Sequence, residues 1–227
     1  MIPAFARALA QLGDPAFRRP IVLSLALATL VFAVLWLAMW FLLTRTALSE
    51  LGWIEIALDV LGGLAAIALT FVLFPGVVAA ILPLFAETII AAVERRYYPS
   101  LPPPRSPPVA EQVSIAIRFL AIVIVLNLAV LPLYFVPGVN ALVFYGLNGY
   151  LLGREYYEMV APRRLASEPR RELWRRRRFG FVLAGAVIAF ISTLPVVNLL
   201  APVLAAAAMT HLFESYRHAA LPGSTHA

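Results

Sequence analysis

The sequence has no cysteine, which excludes disulfide frameworks, thiolate zinc sites and iron–sulfur clusters and leaves the redox compartment open. It has no lysine either, so all 18 basic residues are arginine. Charge of both signs is scarce: 13% of the 227 residues are charged and 62% are hydrophobic, too apolar a balance for a water-soluble domain. The same numbers exclude disorder, since a disordered chain is rich in charge and poor in Leu, Val and Phe. What remains is an integral membrane protein.

Enzyme signatures are missing as well. There is no Gly-rich phosphate loop, no G-x-S-x-G elbow and no H-E-x-x-H pair. The histidines, His211, His218 and His226, all sit at the C-terminal end, where a helix-end or tail role is preferred to metal binding. The expectation is no catalysis, no metal and no cofactor.

What is present is a set of long uncharged runs. Residues 21–43 make 23 uncharged positions, roughly 35 Å of helix, enough for a hydrocarbon core of about 30 Å. This run begins after Arg18 and Arg19 and has no small-x-small exit, so it reads as a retained span rather than a cleaved signal. Residues 60–86 give another 27 uncharged positions within a long second helix expected over 56–93, where Gly62, Gly63, Pro75 and Pro83 allow kinks or close approach. Six prolines in the eleven residues 98–108 then forbid a continuing helix and make a linker.

Beyond the linker the apolar runs shorten to 119–131, 141–152, 179–194 and 199–211, about 18 to 24 Å each as helices. They pair around two similar uncharged turns, Val136-Pro137-Gly138-Val139-Asn140 and Leu194-Pro195-Val196-Val197-Asn198. In each, proline ends the incoming helix and asparagine is expected to N-cap the outgoing one. The open ends carry Arg118, Arg154, Arg163, Arg164, Arg175–Arg178 and Arg217, all on one basic side. Two re-entrant hairpins over 115–160 and 179–217 are therefore preferred to two thin-bilayer hairpins that span, and an oligomer would cover their turns. Between them 162–178 reads as an amphipathic, arginine-rich helix lying on the membrane surface, drawn to anionic lipid rather than to nucleic acid. Arginine counts in the short loops put both termini in the cytoplasm, with 1–20 an interfacial segment and 218–227 a tail. The expected fold is thus an all-α integral membrane domain with two long transmembrane helices, two partly penetrating hairpins and one interfacial helix.

Three polar or small-residue features stand near these runs. In Asp14-Pro15-Ala16-Phe17-Arg18-Arg19, Pro15 suits a first helical position, and the following N–H groups with two guanidinium forks could hold an oxyanion; alternatively Asp14 caps the helix and the arginines anchor to lipid. Glu87, with Glu94 and Arg95, follows the second span and reads as an interfacial carboxylate or, less simply, a pore residue. Gly146, Gly149 and Gly153 share one helical face and read as a close-packing seam.

Four stretches together bring a family to mind: DPAFRR at 14–19, YFVPGVN at 134–140, LNGYLLGREYYE at 147–158 and LPVVNLLAPVLAAAAMTHLFESYR at 194–217. From about residue 5 to 217 the chain resembles the CysZ sulfate permease family, bacterial inner-membrane relatives of the etoposide-induced membrane protein. The resemblance implies two long transmembrane helices, two partly penetrating hairpins, assembly into homo-oligomers, and passage of sulfate or a similar oxyanion for assimilation without ATP or cofactor. It also implies that a Pro-Gly-Leu-Arg-like anion-contacting turn falls on Pro15, Ala16, Phe17 and Arg18, with Arg19 beside it; here Ala16 and Phe17 replace glycine and leucine. The competing expectation is a structural or assembly protein of the envelope with no conduction path.

Overall fold

The computed structural model describes residues 1–45, 60–64, 66–68, 70, 74, 77, 81, 85–194 and 197–220. Among these residues there are helices and turns and no strand. We number the helices α1 (Ile2–Ala10), α2 (Pro15–Arg45), α3 (Ala86–Tyr97), α4 (Val109–Val130), α5 (Asn140–Val160), α6 (Ser167–Thr193) and α7 (Ala201–Ala220). Short 3₁₀ turns, Leu131–Phe135, Ala161–Arg163 and Val197–Leu199, link the last four.

Pro15 opens α2 where a missing N–H is harmless, and the helix then buries one stripe, Phe17, Pro20, Ser24, Ala28 and Phe32, at spacings of three and four. The residues from 33 to 41 are exposed around the whole helix, as lipid-facing residues are. Phe17–Phe41 is long and apolar enough to cross a membrane. The described positions between 60 and 81 are helical and pack beside α2, with Trp36 Nε1 donating to Thr70 Oγ1 at 2.8 Å and Phe32 5.6 Å from Phe74. Part of the expected 56–93 helix, including Pro75 and Pro83, lies outside the described residues.

α4 corrects the expectation of a short arm. With its 3₁₀ extension it offers a second apolar stretch, Val109–Phe135, of 27 residues, long enough to cross. The uncharged run stopped at Arg118, but a helix does not end where a charge occurs: Glu111 and Arg118 belong to its first three turns. Length therefore does not mark the first hairpin as partly penetrating.

α6 brings a second correction. Residues 162–178 are not a separate surface helix, because Ser167–Thr193 is one continuous 27-residue helix. Pro162 lies in the preceding 3₁₀ turn, Pro169 sits in the first turn of α6 where its missing donor costs nothing, and nothing afterwards breaks the helix. Its arginine-rich half also buries Arg170, Leu173 and Trp174 against the bundle.

The core gathers around α7. Its run Ala205–Ala208 is buried throughout, so small side chains let α1, α3, α5 and α6 close on it from several sides. Tyr157 sits at the centre with its ring 5.1 Å from Trp174, 4.7 Å from Phe181 and 6.0 Å from Phe213, and its hydroxyl donates to the Arg170 carbonyl at 2.5 Å. The most extensive pairing joins α5 to α6 through glycine. A Cβ on Gly149 would lie 3.0 Å from Ala186 Cβ, one on Gly153 would strike the Phe181 carbonyl, and one on Gly185 would strike the Gly149 carbonyl. Gly146, on the same face by spacing, meets open space.

Candidate functional site

The arginines and carboxylates that the sequence scatters are assembled into one charged layer at the ends of α3 to α6. Arg105 in the linker meets Glu111 of α4 at 2.5 Å, and Glu111 also accepts from Arg170 of α6 at 2.9 Å. Arg170 Nε lies 3.1 Å from Glu158 of α5, a charge contact without hydrogen-bond alignment, and Glu158 pairs with Arg154 at 2.6 Å. The Arg154 guanidinium stacks 4.7 Å over Trp174. Beside this chain, Glu94 of α3 is held bidentately by Arg164 at 2.8 and 3.0 Å and more loosely by Arg163 at 3.2 Å. Arg164 also donates to the Pro102 carbonyl, and Arg105 N–H to the Arg163 carbonyl at 2.8 Å, so the proline linker is tied down on both sides.

A cavity of about 600 Å³ opens between α3, the linker, α4 and α5, walled by Glu87, Arg105, Phe119, Glu155, Glu158 and Arg163 among others. Glu87 is thus placed on a wall of the largest described polar cavity. Glu155 faces the same space with no partner among the described residues, and burial pushes its carboxyl above the usual range. Sequence reasoning missed Glu155, Glu158, Arg105 and Arg163. The one helical-spacing signal was Arg154 and Glu158 at i and i+4; Arg105 and Glu111 are six positions apart across the linker, and Glu94 meets Arg163 and Arg164 from about seventy.

The N-terminal segment reaches the same layer. Asp14 Oδ2 accepts from Arg96 Nη1 at 2.7 Å, two residues beyond Glu94, and the Asp14 carbonyl takes the N–H groups of Phe17 and Arg18 at 2.9 and 3.0 Å. Those two amides are consumed inside the helix start and are not offered outward. Pro15 is exposed and has no donor, and Phe17 is an anchor, 1% exposed in the core. Arg18 and Arg19 are exposed and make no ion pair among the described residues, so the guanidinium forks are the donors this segment presents.

The turns lie elsewhere. Asn140 is the first residue of α5, not its N-cap: the cap position falls on Val139, whose backbone is already helical, and Asn140 Oδ1 accepts from the Ala141 N–H at 2.9 Å. Gly138 has φ +81°, the left-handed conformation glycine adopts most readily, and Pro137 precedes it. Asn198 sits within the 3₁₀ turn Val197–Leu199, ahead of α7 rather than capping it, and its Oδ1 is buried without a hydrogen-bond partner among the described residues. Pro195 is outside the described residues. Asn140 and Glu155 stand on one helix roughly 22 Å apart, so the first turn and the cavity occupy opposite ends of α5.

A second polar cluster stands between α1, α3 and α7. His211, 2% exposed, has Nδ1 3.0 Å from the Tyr98 hydroxyl and its ring edge-on to Tyr97 at 4.9 Å. His211 lies outside both apolar spans; burial first, and then the Arg7 charge, lower its imidazole to about 4. Among the described residues no three His, Asp or Glu side chains are grouped as a metal site.

The profile of the family described as sulfate transporter CysZ/etoposide-induced protein 2.4 matches residues 4–202. The chain belongs to that family. No individually curated protein matches it significantly. Within this CysZ-like chain the matched region takes in both apolar spans, the charged layer and both turns, and ends at the start of α7. Family membership and the two apolar helices make this a membrane protein of a transporter family.

Proposed function

We propose that the protein is an inner-membrane permease or channel for sulfate or a similar oxyanion, multi-pass with both termini in the cytoplasm, working as a homo-oligomer. The observation that carries this reading is the family match over residues 4–202. Arg18 and Arg19 support it as exposed cations at a helix start, free of ion pairs among the described residues. Guanidinium forks suit a tetrahedral oxyanion better than ammonium groups would, because two N–H donors meet two oxygens at once. Pro15 sets the start of α2 and Phe17 fixes its seat in the core, while Arg18 and Arg19 collect the ion near the charged layer. The cavity beside Glu87 serves as the vestibule behind them. The turns around Pro137, Gly138 and Asn140, and around Pro195 and Asn198, penetrate the membrane from the cytoplasmic side, and neighbouring copies cover them.

Sulfate binding by the purified protein, measured by equilibrium dialysis, tests the site. Arg18→Ala lowers binding while leaving the oligomer intact; equal loss of assembly and binding assigns Arg18 to anchoring instead. One observation favours the second reading, an envelope assembly protein with no conduction path: the cavity presents three carboxylates, Glu87, Glu155 and Glu158, against the guanidiniums of Arg105 and Arg163. Under that reading Arg18→Ala changes no sulfate binding, because there is none to change.

A further inference from the structure

Behind the wall formed by Ile115, Phe119 and Glu158, which the cavity shares, a separate shallow cleft is lined by Arg118 of α4, Arg154 of α5, and Arg170 and Arg171 of α6. Three of these arginines have carboxylate partners: Arg154 and Arg170 share Glu158, Arg170 also holds Glu111, and Arg171 pairs at 3.3 Å with Glu168. Arg118 is exposed and has none among the described residues, which leaves the cleft with one uncompensated positive charge. The cleft is small, about 30 Å³ against about 600 Å³ for the neighbouring cavity.

Ile122 belongs both to this cleft and to an open groove of about 380 Å³ lined by Ala121, Ile122, Val125, Leu126 and Tyr150. A cationic mouth therefore continues directly into an apolar channel between α4 and α5. No residue of α4 is buried by the chain itself, so the groove faces whatever surrounds the bundle. Tyr150, on the groove wall, stands edge to face at 6.0 Å with Trp174, the buried ring beneath the Arg154 guanidinium.

We propose that this cleft and groove form a binding site for one anionic diacyl phospholipid. The headgroup phosphate takes the Arg118 guanidinium and the outward N–H donors of Arg154 and Arg171, and one acyl chain lies along Ile122, Val125 and Leu126. The buried Arg170, fixed between Glu111 and Glu158, holds α4, α5 and α6 at the spacing that keeps the mouth open. A free oxyanion would use the mouth and leave the groove empty; a lipid uses both. The site is distinct from the proposed sulfate site at Arg18, and the two proposals fail independently.

Native mass spectrometry of the delipidated full chain in detergent tests it, with dioleoylphosphatidylglycerol, dioleoylphosphatidylcholine and soluble glycerol phosphate as probes. One phosphatidylglycerol should be retained in preference to phosphatidylcholine, and excess glycerol phosphate should not displace it. Arg118→Gln should weaken its retention about fivefold, the scale of one arginine at a membrane surface, and remove the headgroup preference. Ile122→Trp, which fills the groove without touching charge, should weaken both lipids. Arg175→Gln, an exposed arginine on α6 outside the cleft, should change nothing. Equal retention of both lipids by the unaltered protein, or displacement by glycerol phosphate, overturns the proposal. So does an equal loss from Arg118→Gln and Arg175→Gln, which would mean generic surface attraction. If a variant fails to fold, lipid preference and displacement in the unaltered protein still decide.

Discussion

Arg170 of α6 reaches Glu111 of α4 at 2.9 Å, and this contact joins a helix that buries nothing of its own to the packed bundle. The Arg170 side chain is 7% exposed and also serves Glu158, whose side chain is 9% exposed. Removing the shared cation unlinks α4 from α5 and α6, although Glu111 keeps Arg105 and Glu158 keeps Arg154. Arg170→Ala should therefore destabilise the protein by about 1 to 3 kcal/mol, through lost inter-helix contacts rather than an orphaned buried charge. Thermal unfolding in detergent reads this, and Arg170→Met, which keeps an apolar stem without the charge, should recover part of the loss. A loss no larger than that of an exposed arginine would show that water screens the layer.

The α5–α6 seam gives a second prediction. Gly185→Ala and Gly153→Ala each drive a methyl group into a backbone carbonyl, which has no rotamer by which to move away. Each should cost about 1 to 3 kcal/mol through forced separation of the helices. Gly146→Ala meets open space and should stabilise by up to about 1 kcal/mol on helix propensity alone. Melting temperatures of the three variants check the ordering, and equal effects would remove the seam.

His211 sets a pH dependence. Its folded value is lowered from 6.5 to about 4, so between those values the unfolded chain binds more protons than the folded one. Stability from this residue is full above about pH 6.5 and falls as pH drops toward 4. His211→Gln should flatten that part of the melting-temperature profile. A slope unchanged by the substitution would assign the acid sensitivity to other groups.

Much of the span pattern was legible in composition. An uncharged run of adequate length specifies a membrane helix with little help from context, as α2 illustrates. The same count shortened α4 because it treated Arg118 as an end, whereas an arginine one or two turns inside a helix can extend its head toward water. Arginine density made 162–178 look like a surface helix, but the absence of any break before Thr193 decided the matter. Asn140 and Asn198 did mark the turns, yet neither caps: capping depends on the backbone of one residue, and Val139 is already helical. The charged layer was largely hidden because Glu94 meets Arg163 and Arg164 from about seventy positions away, and no local spacing encodes that. Glu87 was visible as a charge at the end of an apolar run, and only the fold set it across a cavity from Glu155.

Topology can be read directly, since the chain has no cysteine to interfere. A cysteine introduced at Ser49, outside the described residues, should react with an impermeant maleimide from the periplasm. One at Ser167, the first residue of α6, should react only after the cytoplasmic face is opened. Labelling of both from one side would overturn the proposed arrangement.

The oxyanion pathway is tested most directly by uptake of radiolabelled sulfate into liposomes containing the purified, folded protein. The account predicts saturable uptake above that of empty vesicles, reduced by Arg18→Ala and only partly restored by Arg18→Lys, because an ammonium cannot reproduce a two-pronged contact. Uptake indistinguishable from empty vesicles, with the protein shown to be helical and inserted, would contradict it.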